Sequence, residues 1–182
     1  MTITTINPAT EKILKRYKHM SKKQVLGILK ATKQAQSKWK ILPIKKRASY
    51  FLKLAKTLRK HKKQWGKLMT LEMGKPITEA EAEIEKCAWT AEVYAQNAEK
   101  WLKEETVKAD GYKHRVKYEP LGVILSIMPW NFPFWQALRF GIPGLLAGNT
   151  SILKHASPTT GCGLAIEQAF KKAGFPKNVF RT

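Results

Sequence analysis

The chain has 182 residues, 43% of them hydrophobic and six of them Trp, which excludes wholesale disorder and suffices for one domain or part of a larger one. No apolar run approaches the roughly 20 residues of a membrane span, and the N-terminus lacks the apolar core of a signal peptide. The net charge of +21 comes from 34 basic and 13 acidic residues and is unevenly spread, with twenty Lys/Arg and no acid between Lys12 and Lys67.

Of the bases, 28 are Lys, lying on the polar faces of expected helices. No Gly/Arg-rich tail, zinc-finger spacing or aromatic RNA-binding motif accompanies them, so the expectation is a solvated lysine-rich surface and no specific nucleic acid. Salt-sensitive adhesion to polyanions should accompany such a charge. From Glu72 to Glu105 the balance reverses, with nine acids against four bases. Cys87 and Cys162 form no metal or redox spacing, which makes a reducing cytoplasm the default compartment.

In chain order, Ile6-Asn7-Pro8-Ala9-Thr10 reads as a turn-like entry and Ile13 to Tyr17 as a short strand. Ser21-x-x-Gln24 is a capping box opening a helix whose apolar positions are Val25, Ile28, Leu29, Thr32, Ala35 and Trp39. Pro43 breaks it. A second helix is expected over about 44–73, with Phe51, Leu54, Ala55, Leu58, Trp65, Leu68 and Met69 on one side, ended by Gly74 and Pro76. Thr78-x-x-Glu81 should cap a third helix whose stripe runs Ala80, Ile84, Cys87, Ala88, Ala91, Tyr94, Ala95, Ala98, Trp101 and Leu102. That stripe makes Cys87 a small core residue.

Residues 105–119 alternate around Asp110-Gly111, the dipeptide of a type I′ hairpin turn, with Val107 on one arm and Tyr112, Val116 and Tyr118 on the other. A two-stranded ribbon is marginal alone and is a candidate for exchange between subunits. From Gly122 the rhythm is strand 122–128, helix 134–147 with Gly148-Asn149 as its stop, strand 150–154, helix 158–173, and a third strand beginning at Asn178. Short apolar strands alternating with helices indicate a parallel sheet. The expected fold class is therefore α/β: N-terminal helices, a β-hairpin and an incomplete Rossmann-like parallel sheet. A sheet of this kind should leave apolar surface unburied and favour self-association.

The stretch Leu121 to Ser157 carries the chemistry. A strand stops at Pro129-Trp130-Asn131-Phe132-Pro133 and the next ends in Lys154, so an amide and an ammonium lie outside the carboxyl ends of adjacent strands, where open α/β sheets bind ligands. There is no GxGxxG and no P-loop, and His19, His61, His114 and His155 form no ligand cluster, so no metal site is expected. Cys162 lies early in a helix, where a dipole lowers a thiol pKa, but no base is placed near it and a structural thiol is the better reading.

These residues resemble the N-terminal part of aldehyde dehydrogenases, in particular the succinate-semialdehyde dehydrogenase branch. The likeness runs over the whole chain. It rests on the PWNFP motif with its downstream LK-x-A, on Ile6-Asn7-Pro8-Ala9-Thr10, Arg47-Ala48 and Glu72-Met73-Gly74-Lys75-Pro76, and on Pro120-Leu121-Gly122-Val123, Leu146-Ala147-Gly148-Asn149 and Ala173-Gly174-Phe175-Pro176. The resemblance implies that Asn131 is catalytic, its side-chain amide stabilising the oxyanion formed when a thiolate attacks an aldehyde. It implies a cofactor groove for NADP or NAD lined by Ile127, Trp130, Asn131, Lys154, His155, Ala156 and Ser157. Ser157 stands where NAD-preferring relatives often carry Glu, and a serine there admits a 2′-phosphate. Arg139 matches the arginine that binds a substrate carboxylate, with Phe132 and Trp135 beside it.

The same resemblance makes 1–182 a partial cofactor-binding domain and 105–119 an oligomerisation hairpin. The nucleophilic cysteine, the deacylating glutamate and the catalytic domain are expected to be absent. The expected partners are a small aldehyde, further copies of the full-length enzyme and a complementing C-terminal fragment, with no membrane. The chain alone is expected to be inactive; the alternative is a non-catalytic cofactor-binding or subunit-assembly module.

Overall fold

A computed structural model describes residues 2–182. Its first unit is an antiparallel hairpin of β1 (Thr2–Ile6) and β2 (Ile13–Lys18). Only the second of these strands was expected from the sequence. Helix α1 (Lys22–Trp39) opens on the expected capping box, Gln24 N donating to Ser21 Oγ at 3.3 Å and Ser21 N to Gln24 Oε1 at 2.8 Å.

Where one helix was expected over 44–73 there are two, α2 (Ile44–Lys60) and α3 (Lys62–Met73). They meet at His61, whose φ of −104° and ψ of 12° leave the helical region. The apolar stripe crosses this break without losing phase, so periodicity carries no sign of it. Gly74 ends α3 in the left-handed region with φ 74°, as expected of a C-terminal glycine. Helix α4 (Ile77–Trp101) starts directly after Pro76 with no side-chain cap bond. The capping box expected at Thr78 is not formed, because the extended backbone of Pro76 begins the helix before Thr78 is reached.

The second hairpin, β3 (Glu105–Val107) and β4 (His114–Val116), pairs Val107 with His114 and Glu105 with Val116. That is the register an Asp110-Gly111 turn dictates. The turn is not type I′, since Gly111 is not among the residues with positive φ; instead Gly111 N donates to His114 Nε2 at 2.8 Å.

Strands β5 (Val123–Ile127), β6 (Thr150–Lys154) and β7 (Phe180–Arg181) form a parallel sheet in the order β5-β6-β7. Helix α5 (Pro133–Leu146) joins the first pair, and α6 (Thr160–Lys172) joins the second after a 3-10 turn at Ser157–Thr159. With strands in sequential order, right-handed crossovers put α5 and α6 on one face of the sheet. Helix α1 takes the other, where Thr150 Oγ1 donates to the Thr32 carbonyl at 3.3 Å.

The buried residues of α1 lie in its C-terminal half. Thr32, Gln36 and Trp39 are buried, whereas Val25 and Leu29, expected on the core face, are exposed. Behind α5 and α6 lies the α2–α3–α4 layer. Phe51, Leu54, Leu58, Trp65, Met69 and Ile84 there, with Phe134, Leu138, Ile142, Ile166 and Phe170 from α5 and α6, form one core. Each of these large side chains contributes roughly 1.5–3 kcal/mol by burial. The far end of α5 is fixed by side chains that satisfy its carbonyls: Trp39 Nε1 donates to Leu145 O and the buried Arg47 Nε to Leu146 O, both at 2.8 Å. Among the described residues no helix is long and apolar enough to cross a membrane.

Candidate active site at the carboxyl edge of the sheet

In the parallel register Ile127 lies opposite Lys154, so the last residues of β5 and β6 end side by side. Met128 N donates to the Lys154 carbonyl at 3.1 Å, carrying the pairing one residue further. The chain then turns through Pro129–Phe132 into α5, leaving Trp130 and Asn131 exposed on the edge. From β6 the chain passes Lys154, exposed, then His155 and Ala156, half-buried, then Ser157, exposed at the start of the 3-10 turn. The residues expected to hold a cofactor thus share one edge. Leu125 and Ile127, 60% and 69% exposed, add an uncovered apolar strip on the α1 side of β5.

His155 is held against α6. Its Nδ1 lies 3.0 Å from the Ala156 carbonyl, and its ring lies so close to Gly163 that a Cβ there would come within 2.7 Å of it. Glycine at 163 is what permits that approach. The residues expected to bind substrate stand on α5 and at its N-cap. Phe132 is its N-cap, Trp135 is half-buried in its first turn, and Arg139 is exposed one turn further on the same face. Among the described residues no group of three or more His, Cys, Asp or Glu could hold a metal ion.

Two buried carboxylates, absent from the sequence expectation, hold the helices that frame this edge. Glu83 on α4 accepts from Phe134 N at 2.9 Å and Trp135 N at 2.8 Å, capping α5, and it also pairs with the buried Lys75 ammonium. Lys75 lies 3.7 Å from the centroid of the Phe132 ring. Glu72 on α3 does the same for α6, accepting from Gly161 N at 2.8 Å and Cys162 N at 2.9 Å. Negative charge at a helix N-terminus is favourable, and each carboxylate takes up donors that would otherwise be unsatisfied. The sequence did carry a signal. Glu83 falls within the stripe Ala80, Ile84, Cys87, and Glu72 continues Trp65 and Met69 at the same helical spacing. A carboxylate at a core position needs a buried partner.

Glu72 also bears on the character of Cys162. Burial first, then the Glu72 charge, pushes this thiol well up from its ordinary value, the reverse of what a bare helix N-terminus would do. Cys87 is pushed up by burial as well. Both are free, buried thiols, protonated at neutral pH and unsuited to nucleophilic attack. Burial, followed by the Glu72 charge, likewise raises Tyr17.

Comparison with known proteins agrees over the full length. The aldehyde dehydrogenase family profile matches residues 1–182. A "Probable succinate-semialdehyde dehydrogenase (NADP+)" of Synechocystis sp. is 44% identical over 182 residues, covering 100% of this chain and 40% of the relative. "Succinate-semialdehyde dehydrogenase (NADP+) 1" of Mycobacterium tuberculosis is 38% identical over 185 residues, covering 100% of this chain and 40% of that protein. The crystal structure of succinic semialdehyde dehydrogenase from Streptococcus pyogenes in complex with NADP+ superposes with a TM-score of 0.95 at 29% identity, covering 98% of this chain and 40% of that one. The chain therefore spans about 40% of the length of the relatives it matches. It belongs to the aldehyde dehydrogenase family.

Proposed function

We propose that this chain is the N-terminal, cofactor-binding part of an NADP- or NAD-dependent aldehyde dehydrogenase that oxidises succinate semialdehyde, or a similar aldehyde with a distal carboxylate, to the acid. The observation that carries the reading is the shared edge: Ile127 in register with Lys154, the exposed Asn131 in the next loop and Ser157 one turn beyond.

The edge suits a nicotinamide dinucleotide. Leu125 and Ile127 offer an apolar strip, and Lys154 forms no ion pair among the described residues. The Glu72 carboxylate at the start of α6 is turned inward, both of its oxygens engaged by the Gly161 and Cys162 amides. Glu72 also fills the helix N-terminus that would otherwise receive an anion. Phosphate recognition thereby falls to Lys154 and the Ser157 hydroxyl, with His155 and Ala156 shaping the wall between them.

In this reading Trp130 borders the groove and the Asn131 amide donates to the aldehyde oxygen as it gains negative charge, a fixed donor aimed at charge that develops in the transition state. When bound, the cofactor accepts the hydride that leaves the aldehyde carbon. The attacking thiolate is neither Cys87 nor Cys162, both being buried and protonated, and it comes from a complementing C-terminal segment. Arg139 holds the far carboxylate in a two-pronged pair, with Phe132 and Trp135 as walls. The aldehyde is the small-molecule partner, no specific nucleic acid is involved, and the compartment is the cytoplasm.

The alternative is a non-catalytic cofactor-binding or subunit-assembly module. It is favoured by one feature, the hairpin within 105–119, which pairs only with itself and leaves Val107, Tyr112, Val116 and Tyr118 exposed. A ribbon of this kind gains most by adding to another copy's sheet. Calorimetry of the purified chain with NADP+ and NAD+, repeated with Lys154→Met, tests the cofactor reading. The expected outcome is NADP+ binding weakened tenfold or more by the substitution. Equal affinity for both proteins would refute it.

A further inference from the structure

Helix α4 carries a cation with no ion-pair partner among the described residues at the point where α4 meets α5. Lys86 lies with its ammonium 4.0 Å from the centroid of the Trp135 ring. The acids of α4 that form ion pairs are committed elsewhere: Glu83 to Lys75, Glu85 to Arg59 and Lys62, Glu92 to Arg59, and Glu99 to Lys45. Of the residues one turn from Lys86, Ala82, Trp89 and Thr90 are uncharged, and Glu83 is taken up by Lys75 and the Phe134 and Trp135 amides. Arg139, one turn beyond Trp135 on α5, is likewise free of any ion pair among the described residues. In a helix otherwise dominated by glutamate, the one lysine turned onto α5 meets the wall of the expected aldehyde pocket.

We infer that Lys86 is a specificity-determining residue, the second cation for the carboxylate of the aldehyde, acting with Arg139 across the Trp135 ring. This rests on the function proposed above and deepens it. Trp135 holds the lysine in place by cation–π attraction, so the ammonium is pre-positioned. A single arginine gives a carboxylate direction. A second cation adds charge and makes an uncharged aldehyde of equal length a poor substitute.

The test follows the Trp135 indole N–H resonance of the full 182-residue chain, assigned with Trp135→Phe, while succinate, 1,4-butanediol or inorganic phosphate is added at low salt. Succinate should shift this resonance and the diol should not. Lys86→Gln and Arg139→Gln should each weaken succinate about tenfold, Lys86→Arg should restore it, and none should alter NADP+ affinity. Succinate affinity within twofold of the parent in Lys86→Gln would overturn the assignment, as would tighter binding of phosphate than of succinate, or a silent Trp135 in a chain that binds NADP+. Failure to bind NADP+ as well would instead remove the functional reading beneath it.

Discussion

The buried pair under the Asn131 loop gives a sharp test. Glu83→Gln keeps an oxygen for the Phe134 and Trp135 amides but leaves the Lys75 ammonium, only 6% exposed, without a counter-charge. Breaking a buried pair from one side costs about 3–5 kcal/mol. Lys75→Met is milder, because Glu83 keeps two amide donors and the positive end of α5; about 2 kcal/mol is expected from the lost charged hydrogen bond. The double variant Lys75→Met/Glu83→Gln buries no unpaired charge, so it should be more stable than Glu83→Gln alone, with a coupling energy of at least about 1.5 kcal/mol. For a chain of this size Glu83→Gln should lower Tm by roughly 10 °C. Urea unfolding followed by Trp fluorescence and far-UV circular dichroism at pH 7 measures all four proteins. Losses that simply add, or a Glu83→Gln cost below about 1 kcal/mol, would show that the pair is not what holds the start of α5.

Three further outcomes follow from the same geometry. Arg47→Met should destabilise by about 3 kcal/mol in urea unfolding, since Leu146 O and the Lys40 and Leu42 carbonyls lose a shared buried donor. Stability should fall as the pH rises through the ordinary thiol range: burial raises both thiols in the folded chain above their ordinary value, so the unfolded chain loses these protons first, and Cys87→Ala/Cys162→Ala should flatten that decline. Ser157→Glu should reduce NADP+ affinity at least tenfold in calorimetry and leave NAD+ affinity unchanged or higher, because a carboxylate repels the 2′-phosphate and accepts from the ribose.

Much of the α/β half was legible because each of its signals is local. Strand 150–154 is bounded by Gly148-Asn149 before it and a lysine after it, and Gly74 and Gly148 adopt the positive φ that their places at helix ends require. What was not legible depended on tertiary partners. The break at His61 interrupts the helix while Leu58 and Trp65 stay in phase. Val25 and Leu29 read as core residues, yet of α1 only Thr32, Gln36 and Trp39 are buried. The shared edge of Asn131 and Lys154 followed from strand–helix rhythm, whereas Ile127 and Ser157 are named only through the resemblance. Glu72 and Lys75 stand out only as part of a shared motif and Glu83 not at all, because their role is set by helix N-termini up to ninety positions away in the chain.

The decisive measurement is complementation. The chain is mixed with a separately produced segment covering the remaining length of a succinate-semialdehyde dehydrogenase relative, and NADPH formation is followed with succinate semialdehyde. Neither piece should act alone, the mixture should, and Asn131→Ala in this chain should reduce the rate of the mixture by about 10²–10³-fold. Turnover by this chain alone, or a mixture indifferent to Asn131→Ala, would contradict the placement of the oxyanion donor and cofactor groove on this chain and of the thiolate elsewhere.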